Sequence, residues 1–419
     1  MDCVFDVVTF SPMNTPLNLR VGVDPHSQLY KRLLTELSRF IDISVNGKAA
    51  STEVHVECVT QDCKQHRYES IDNDVQEMQL CTVPIYYKNA MIKYLFFPNE
   101  VAVVEMYFAS NVLEDSEESL EQRINIFCSE AIYETQKFVF SILEEYVRKN
   151  KADRLLSFKA DFESTNVFWT SKALCFTSSQ LNEPEIPKLI EDWLANTEVP
   201  SHAQSILNGL KTSMTWLNYI LVDIEENDYR IESMTLAQYC YFANEKCNLA
   251  LRTAIDNAYR GVQLSDARNC LDATRSQAKL HQISVDEQMK YLTRKKRTFI
   301  KNIFNSWEYD LHVENGKSMI EVCNDKILEV DAKQRNINSR KTDRILFSIS
   351  LFAVFELLVF LSQYSREVMS RPALDYRDPE QSWILSFIAG LDADLVFGIG
   401  IFTMLMLGLA YLYAAKERL

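Results

Sequence analysis

Apolar and polar positions alternate in short runs along the N-terminal quarter of the chain, and these runs predict β-strands. They are rich in β-branched and aromatic residues: DCVFDVVTF, STEVHVECV, MQLCTVPIYY, MIKYLFF and EVAVVEMYFA. SQLYKRLLTELSRFIDI instead repeats its apolar residues at helical steps. A second helix is predicted over about 120–149, and DRLLSFKADF and NVFWTSKALCF predict two more strands. We therefore expect residues 1–200 to form an α/β domain.

The pattern changes after Pro200. No proline occurs from Ser201 to Arg371, and only three glycines interrupt this part of the chain: Gly209, Gly261 and Gly316. Because proline and glycine are the main helix breakers, this region predicts long helices, which we expect to form a stalk over 201–344. NDYR near 228 and RGVQLSD near 263 are candidate turns between them.

A long final helix is predicted from a stop and a start signal close together. The NG pair at 315–316 is typical of a helix end, and Ser318 with Glu321 matches a capping box. The predicted helix runs from there to residue 363. One apolar stripe follows it: Ile320, Cys323, Ile327, Val330 and Ile337. This stripe fits packing against copies of the same chain and packing against the preceding helix equally well.

Two long apolar runs lie near the C-terminal end. The first covers 345–363, about 28 Å as a helix, which matches the hydrocarbon core of a bilayer. The second covers 395–414 and contains no charged residue. The pattern predicts two transmembrane helices, with an external loop over 364–394 and a short tail over 415–419.

The flanking charges predict the orientation of these spans. Basic residues lie before the first run and after the second: Lys333, Arg335, Arg340, Lys341, Arg344, Lys416 and Arg418. Since basic residues favour the cytoplasmic side, we expect a multi-pass protein of the cell inner membrane with both termini cytoplasmic. The ten cysteines form no CxxC pair, which fits reduced thiols in a cytosol, and MDCVFDVVTF has no signal-peptide pattern.

Composition and motifs narrow the functional classes. The net charge of −14 argues against a nucleic-acid-binding protein. No P-loop, GxGxxG or HExxH motif occurs, and nine glycines leave little material for phosphate-binding loops, so we expect no enzyme. His55, Cys58, Cys63 and His66 have the residue types of a zinc site. However, positions three apart on a strand point to opposite faces, so we predict no metal site there.

This layout resembles the CorA family of divalent-cation channels. The resemblance implies an α+β cytosolic domain, long α-helices and two C-terminal transmembrane helices in a CorA-like funnel. It also implies a homopentamer whose first span lines the pore. The Gly-Met-Asn signature of that family is missing, and the matching place reads FLSQYSREVMSRP, with Gln363 and Ser365 as the nearest polar residues. The missing signature favours the branch encoded beside type III CRISPR systems over a magnesium transporter.

The resemblance gives the polar residues of the first span a function. Five residues fall near one helical face and would line the pore: Ser348, Phe352, Glu356, Val359 and Gln363. A carboxylate at mid-bilayer should face water or a bundle interior, so Glu356 would favour cations. The alternative is a protonated Glu356 bonded to a neighbouring helix, for example to Thr403. Asp392 and Asp394 would lie at the pore mouth, or would cap the second span.

A basic cluster is the candidate ligand site. Five residues of this acidic chain are basic within a short stretch: Arg294, Lys295, Lys296, Arg297 and Lys301. They could bind phosphate groups of a nucleotide second messenger that activates the protein, dock on another subunit, or form a solvated helix face. Our hypothesis is a homo-oligomeric, ligand-gated inner-membrane ion channel of antiviral defence. The alternatives are a divalent-cation transporter and a membrane-anchored receptor or scaffold that does not conduct ions.

Overall fold

The computed structural model describes the greater part of the chain. The described residues are 4–19, 27–49, 79–110, 119–149, 155–159, 162, 167–195, 201–215, 217–225, 228–260, 264–370, 398 and 400–409. The strands are β1 (Asp6–Asn14), β2 (Leu17–Leu19), β3 (Cys81–Tyr87), β4 (Ala90–Phe97), β5 (Val101–Ala109), β6 (Leu156–Phe158), β7 (Ser171–Phe176), β8 (Thr212–Met214) and β9 (Asn218–Val222). The helices are α1 (Gln28–Ala49), α2 (Leu120–Lys149), α3 (Ile186–Trp193), α4 (Ser201–Leu207), α5 (Tyr229–Tyr259), α6 (Leu264–Tyr291), α7 (Arg294–Ser306) and α8 (Tyr309–Ser370).

A seven-stranded sheet organises the N-terminal part of the chain. Its strand order is β3-β4-β5-β1-β7-β9-β8. Neighbouring strands are antiparallel, except that β7 and β9 are parallel. The short strands β2 and β6 pair separately as an antiparallel ribbon. The mixed sheet fits the predicted α+β class for this part of the chain.

Helices cover both faces of the sheet, which explains why its central strands are almost continuously apolar. Val7 and Met13 of β1 contribute to a core shared with α1, α2, α3 and α4. Val8 and Phe10, which point to the opposite face, contribute to a core shared with α5, α7 and the start of α8. Successive side chains of β1 thus enter the two cores in turn, as the two-residue period of a pleated strand requires.

The chain divides into two compact units. The first, Met1–Lys326, contains the sheet, helices α1 to α7 and the beginning of α8. The second, Ile327–Leu419, contains the remainder of α8 and a helical segment over 400–409. Most described side chains of α8 beyond Val330 are exposed.

Two sequence expectations about the helical region are wrong. Strands β8 and β9 lie beyond Pro200, because NYILV satisfies the strand pattern although the surrounding chain lacks helix breakers. Helix α8 begins at Tyr309 and continues through Asn315 and Gly316, so the NG pair is not a helix stop. Glu308, in the connection before α8, has a positive φ of 51°.

The apolar stripe on α8 is buried at Ile320, Cys323, Ile327 and Val330, whereas Ile337 is 40% exposed. Around its first members, α8 contacts preceding helices of the same chain. The Nη1 of Arg275 in α6 donates to Oδ1 of Asn324 at 2.8 Å, and Lys326 Nζ lies 4.0 Å from the ring centroid of Tyr259. Intrachain packing therefore explains this part of the stripe.

The prediction of two transmembrane helices is contradicted. Among the residues that the structure describes, no helix contains a stretch long and apolar enough to cross a membrane. Within the second run, only the segment 400–409 is described as a continuous helix. The two-span funnel, the multi-pass inner-membrane localisation and the ion-channel assignment all depended on these spans, so the same finding contradicts them.

Candidate functional site

The predicted basic cluster lies at the beginning of α7. We call residues 293–297 the basic turn. Thr293 is the N-cap, and its side chain accepts a hydrogen bond from the backbone N–H of Lys296. The four residues that follow Thr293 are basic, and the first turn of α7 contains no acidic residue. Because a helix N-terminus carries partial positive charge, cations there are unfavourable unless an anion is close.

Two of the basic residues hold the turn in place. Lys296 is buried, and its Nζ lies 2.7 Å from Oε2 of Glu232 in the first turn of α5. Arg297 donates from Nη2 to the backbone carbonyls of Lys290 at 2.5 Å and Leu292 at 3.1 Å. It thereby caps the C-terminal end of α6. These contacts fix α7 against α5 and α6.

The other three basic residues of the cluster face solvent. Arg294, Lys295 and Lys301 are exposed, and none of them forms an ion pair with a described residue. Arg294 and Lys295 stand in the first turn of α7, where their own backbone N–H groups have no intrahelical acceptor, while the N–H of Lys296 is bonded to Thr293. An anion bound here would meet two unpaired cations and a helix N-terminus.

A buried carboxylate contacts α5, the helix that carries the partner of Lys296. Glu105 of β5 is 5% exposed and accepts hydrogen bonds from the Thr235 hydroxyl and, at 2.8 Å, from the Tyr107 hydroxyl. Burial raises the pKa of Glu105, Lys93 lowers it, and the charge of Glu232 raises it further. Glu232, whose charge has the smallest of these effects on Glu105, is also the ion-pair partner of Lys296.

α7 leads directly into α8. Only Trp307 and Glu308 separate the two helices. The Phe304 ring stacks on Tyr309 with centroids 4.1 Å apart, and Ile300 and Ile303 are fully buried. A displacement of α7 would therefore displace the beginning of α8 as well.

The residues predicted to line a pore lie elsewhere. Ser348, Phe352, Glu356, Val359 and Gln363 are all exposed residues of α8 in the second unit. The Ser348 hydroxyl donates to the Arg344 carbonyl at 2.9 Å, a bond within the helix. Asp392 and Asp394, predicted for the pore mouth, fall outside the described residues, as do His55, Cys58, Cys63 and His66.

Sequence reasoning missed the carboxylates of this site. Glu232 and Lys296 are far apart in the chain, so no local spacing joins them. Glu105 carried a weak signal, because it interrupts the apolar strand sequence VAVVEMYFA. A carboxylate at an inward position of a buried strand predicts a polar partner from the covering helix.

The chain matches no protein-family model, no curated protein and no solved structure.

Proposed function

We propose that this protein is a ligand-responsive regulatory protein that binds a phosphate-bearing anion at the basic turn. The observation that carries the proposal is the start of α7, where four consecutive basic residues occupy the positive end of a helix. Two of them are engaged in structural contacts, whereas Arg294 and Lys295 are exposed. An anion bound there would interact favourably with both exposed side chains and with the positive end of the helix.

The overall charge makes this local concentration of basic residues more informative. With a net charge of −14, the protein repels anions at long range. A site for an anion then needs close, directed donors. Arginine and lysine side chains beside free backbone N–H groups provide them, and they suit phosphate groups especially well.

The response would travel through α7 into α8. Anion binding would draw the side chains of Arg294 and Lys295 together and change the electrostatic interaction between Lys296 and Glu232. The two-residue connection and the Phe304–Tyr309 stack leave α7 little freedom to move independently of α8. This coupling of a bound ligand to a long helix supports a regulatory function over a purely structural one.

Calorimetric titration of the full chain tests the proposal, with inorganic pyrophosphate and ATP as probes. We expect R294A/K295A to weaken binding of at least one probe about tenfold or more, because charge-assisted contacts contribute about 1.5–3 kcal/mol each. K31A/R32A is the matched control, since Lys31 and Arg32 are consecutive, exposed basic residues near the start of α1. Equal affinities in the two double variants would contradict an anion site at the basic turn.

A second candidate function, assembly of copies of this chain, is favoured by the surface of α8. Large apolar side chains are exposed there, including Ile345 at 59%, Phe352 at 69% and Leu357 at 64%. Exposed apolar surface of this extent is typical of an interaction site. We propose that α8 joins copies of the chain, so that ligand binding and assembly are linked in one scaffold.

A further inference from the structure

The tip of the β4–β5 hairpin has an unusual backbone conformation. Asn99 and Glu100 are consecutive residues with positive φ angles of 67° and 58°. Asparagine tolerates this left-handed region well, but glutamate does not, because its Cβ crowds the backbone. Glu100 therefore stays in this conformation only because its surroundings hold it there.

Hydrogen bonds from three other parts of the fold hold the backbone of the tip. The N–H of Thr15 donates to the Glu100 carbonyl at 3.0 Å, and the N–H of Asn99 donates to Oδ1 of Asn18 at 3.0 Å. From α5, Lys246 Nζ donates to the carbonyls of Asn99 at 2.9 Å and Glu100 at 3.1 Å. These bonds fix the tip and direct the Glu100 side chain.

The carboxylate of Glu100 lies between two lysines. Its Oε1 is 2.6 Å from Lys159 Nζ, and its Oε2 is 3.8 Å from Lys246 Nζ. The side chains of Glu100 and Lys246 are 24% and 26% exposed, and that of Lys159 is 60% exposed, so solvent reaches all three. Among these three described residues, one carboxylate thus pairs with two ammonium groups, which leaves one excess positive charge.

Burial and the charge of a neighbouring lysine both lower the pKa of Lys246. Burial lowers the pKa of Lys246 to about 8, the Glu100 carboxylate opposes this change, and the charge of Lys159 adds to it. Below the tip, the Nδ2 of Asn99 lies 3.5 Å from Nδ1 of His281, a 4%-exposed side chain that burial keeps neutral near pH 7 by lowering its pKa to about 4. The imidazole therefore adds no further positive charge to that of the two lysines.

We infer that Lys159 and Lys246 form an oxyanion-binding site that Glu100 occupies as an internal competitor. The ligand class is a small molecule bearing a carboxylate or a phosphate, which can present two oxygens to the two ammonium groups. An entering ligand would displace the Glu100 side chain, whereas the hydrogen bonds to the Asn99 and Glu100 backbone would keep the tip in place. This site is separate from the basic turn and does not depend on the function proposed for it.

The test removes the competitor without removing the lysines. In the R294A/K295A background, which excludes the basic turn, inorganic phosphate is titrated into the full chain by calorimetry. We expect E100Q to bind phosphate about tenfold more tightly than its parent, within the range usual for two coupled occupants. Adding K159A to E100Q should abolish the gain, and Lys159 is exposed enough for the change to leave the fold intact.

Two further variants keep the result interpretable. E130Q is the matched control. Glu130 pairs at 3.0 Å with Lys88, an exposed lysine that lies at a different hairpin tip and has a positive φ. E100G also removes the carboxylate, and it favours the left-handed conformation, so it should fold even if E100Q does not. Phosphate affinity that is unchanged in E100G and E100Q, or raised equally in E130Q, would overturn the inference.

Discussion

Individual buried polar residues at the α5–α6 interface show where this fold departs from a simple apolar core. His281 is 4% exposed and Gln288 is 7% exposed, and both belong to α6. Both polar side-chain atoms of Gln288 have no hydrogen-bond partner among the described residues, whereas the His281 ring interacts with the Cys240 backbone of α5. Because a buried polar atom without a partner costs free energy, this interface is less stable than an apolar one would be.

His281 makes this cost dependent on pH. Burial lowers its pKa from 6.5 to about 4, so between these values the unfolded chain binds a proton that the folded chain does not. The free energy of unfolding should therefore fall as pH decreases through this window. From pH 7 to pH 4 we expect a loss of about 3 kcal/mol from this residue alone.

Urea unfolding of the wild type and H281Q at both pH values measures this contribution. Other groups titrate in both proteins, so the difference between the two curves isolates His281. The wild type should lose about 3 kcal/mol more than H281Q between pH 7 and pH 4. Parallel losses in the two proteins would show that His281 is not buried as described.

Single elements were predictable from sequence where their signals are local. The helix predicted over about 120–149 is confirmed as α2, Leu120–Lys149, and Ser119 and Gln122 exchange hydrogen bonds at its start. The turn predicted near 228 is confirmed by Asp228, the N-cap of α5. The start of α8 could not be predicted from a local signal. The NG pair suggested a helix end, but Gly316 lies inside the helix, where it allows a contact with a residue distant in the sequence.

Gly316 allows α5 and α8 to pack closely. A Cβ at this position would lie 2.6 Å from Oδ1 of Asn248 and 3.3 Å from Nε2 of Gln282. Asn248 cannot move without loss, since its Nδ2 donates to the His312 carbonyl at 3.0 Å. The glycine in the NG pair is thus required by packing inside a helix, although the same dipeptide is typical of helix ends.

The effect of G316A should depend on Asn248. Alanine gains about 1 kcal/mol of helix propensity over glycine, but overpacking costs about 1–3 kcal/mol. We expect G316A to lower the free energy of unfolding by about 1 kcal/mol in the wild type. In an N248A background the 2.6 Å clash is absent and only the 3.3 Å contact with the longer Gln282 side chain remains, so the same substitution should raise the free energy of unfolding. A double-mutant cycle by chemical unfolding measures this reversal, and the same sign in both backgrounds would contradict the packing account.

At the scale of the whole molecule, apolar residues are distributed unevenly between the two units. In the first unit they fill two cores on the faces of one sheet. In the second, the large apolar side chains of α8 over 345–360 are exposed around more than half of its circumference, at about 3.6 residues per turn. The sequence identified this stretch as apolar, but hydropathy alone does not distinguish between a lipid, a core and a protein partner as its surroundings.

Assembly of the chain through α8 is the prediction that follows. If copies of α8 cover each other, the full chain should run in light-scattering chromatography at a multiple of its 48.6 kDa mass. Substitution F352S/L357S should shift the mass towards that of one chain, because fully burying each side chain is worth about 1.5–3 kcal/mol. L29S/I43S is the matched control, since Leu29 and Ile43 of α1 are 63% and 65% exposed. A wild type that stays at the mass of one chain at all concentrations would exclude α8 as an assembly surface, and equal shifts in both variants would show that the association is nonspecific.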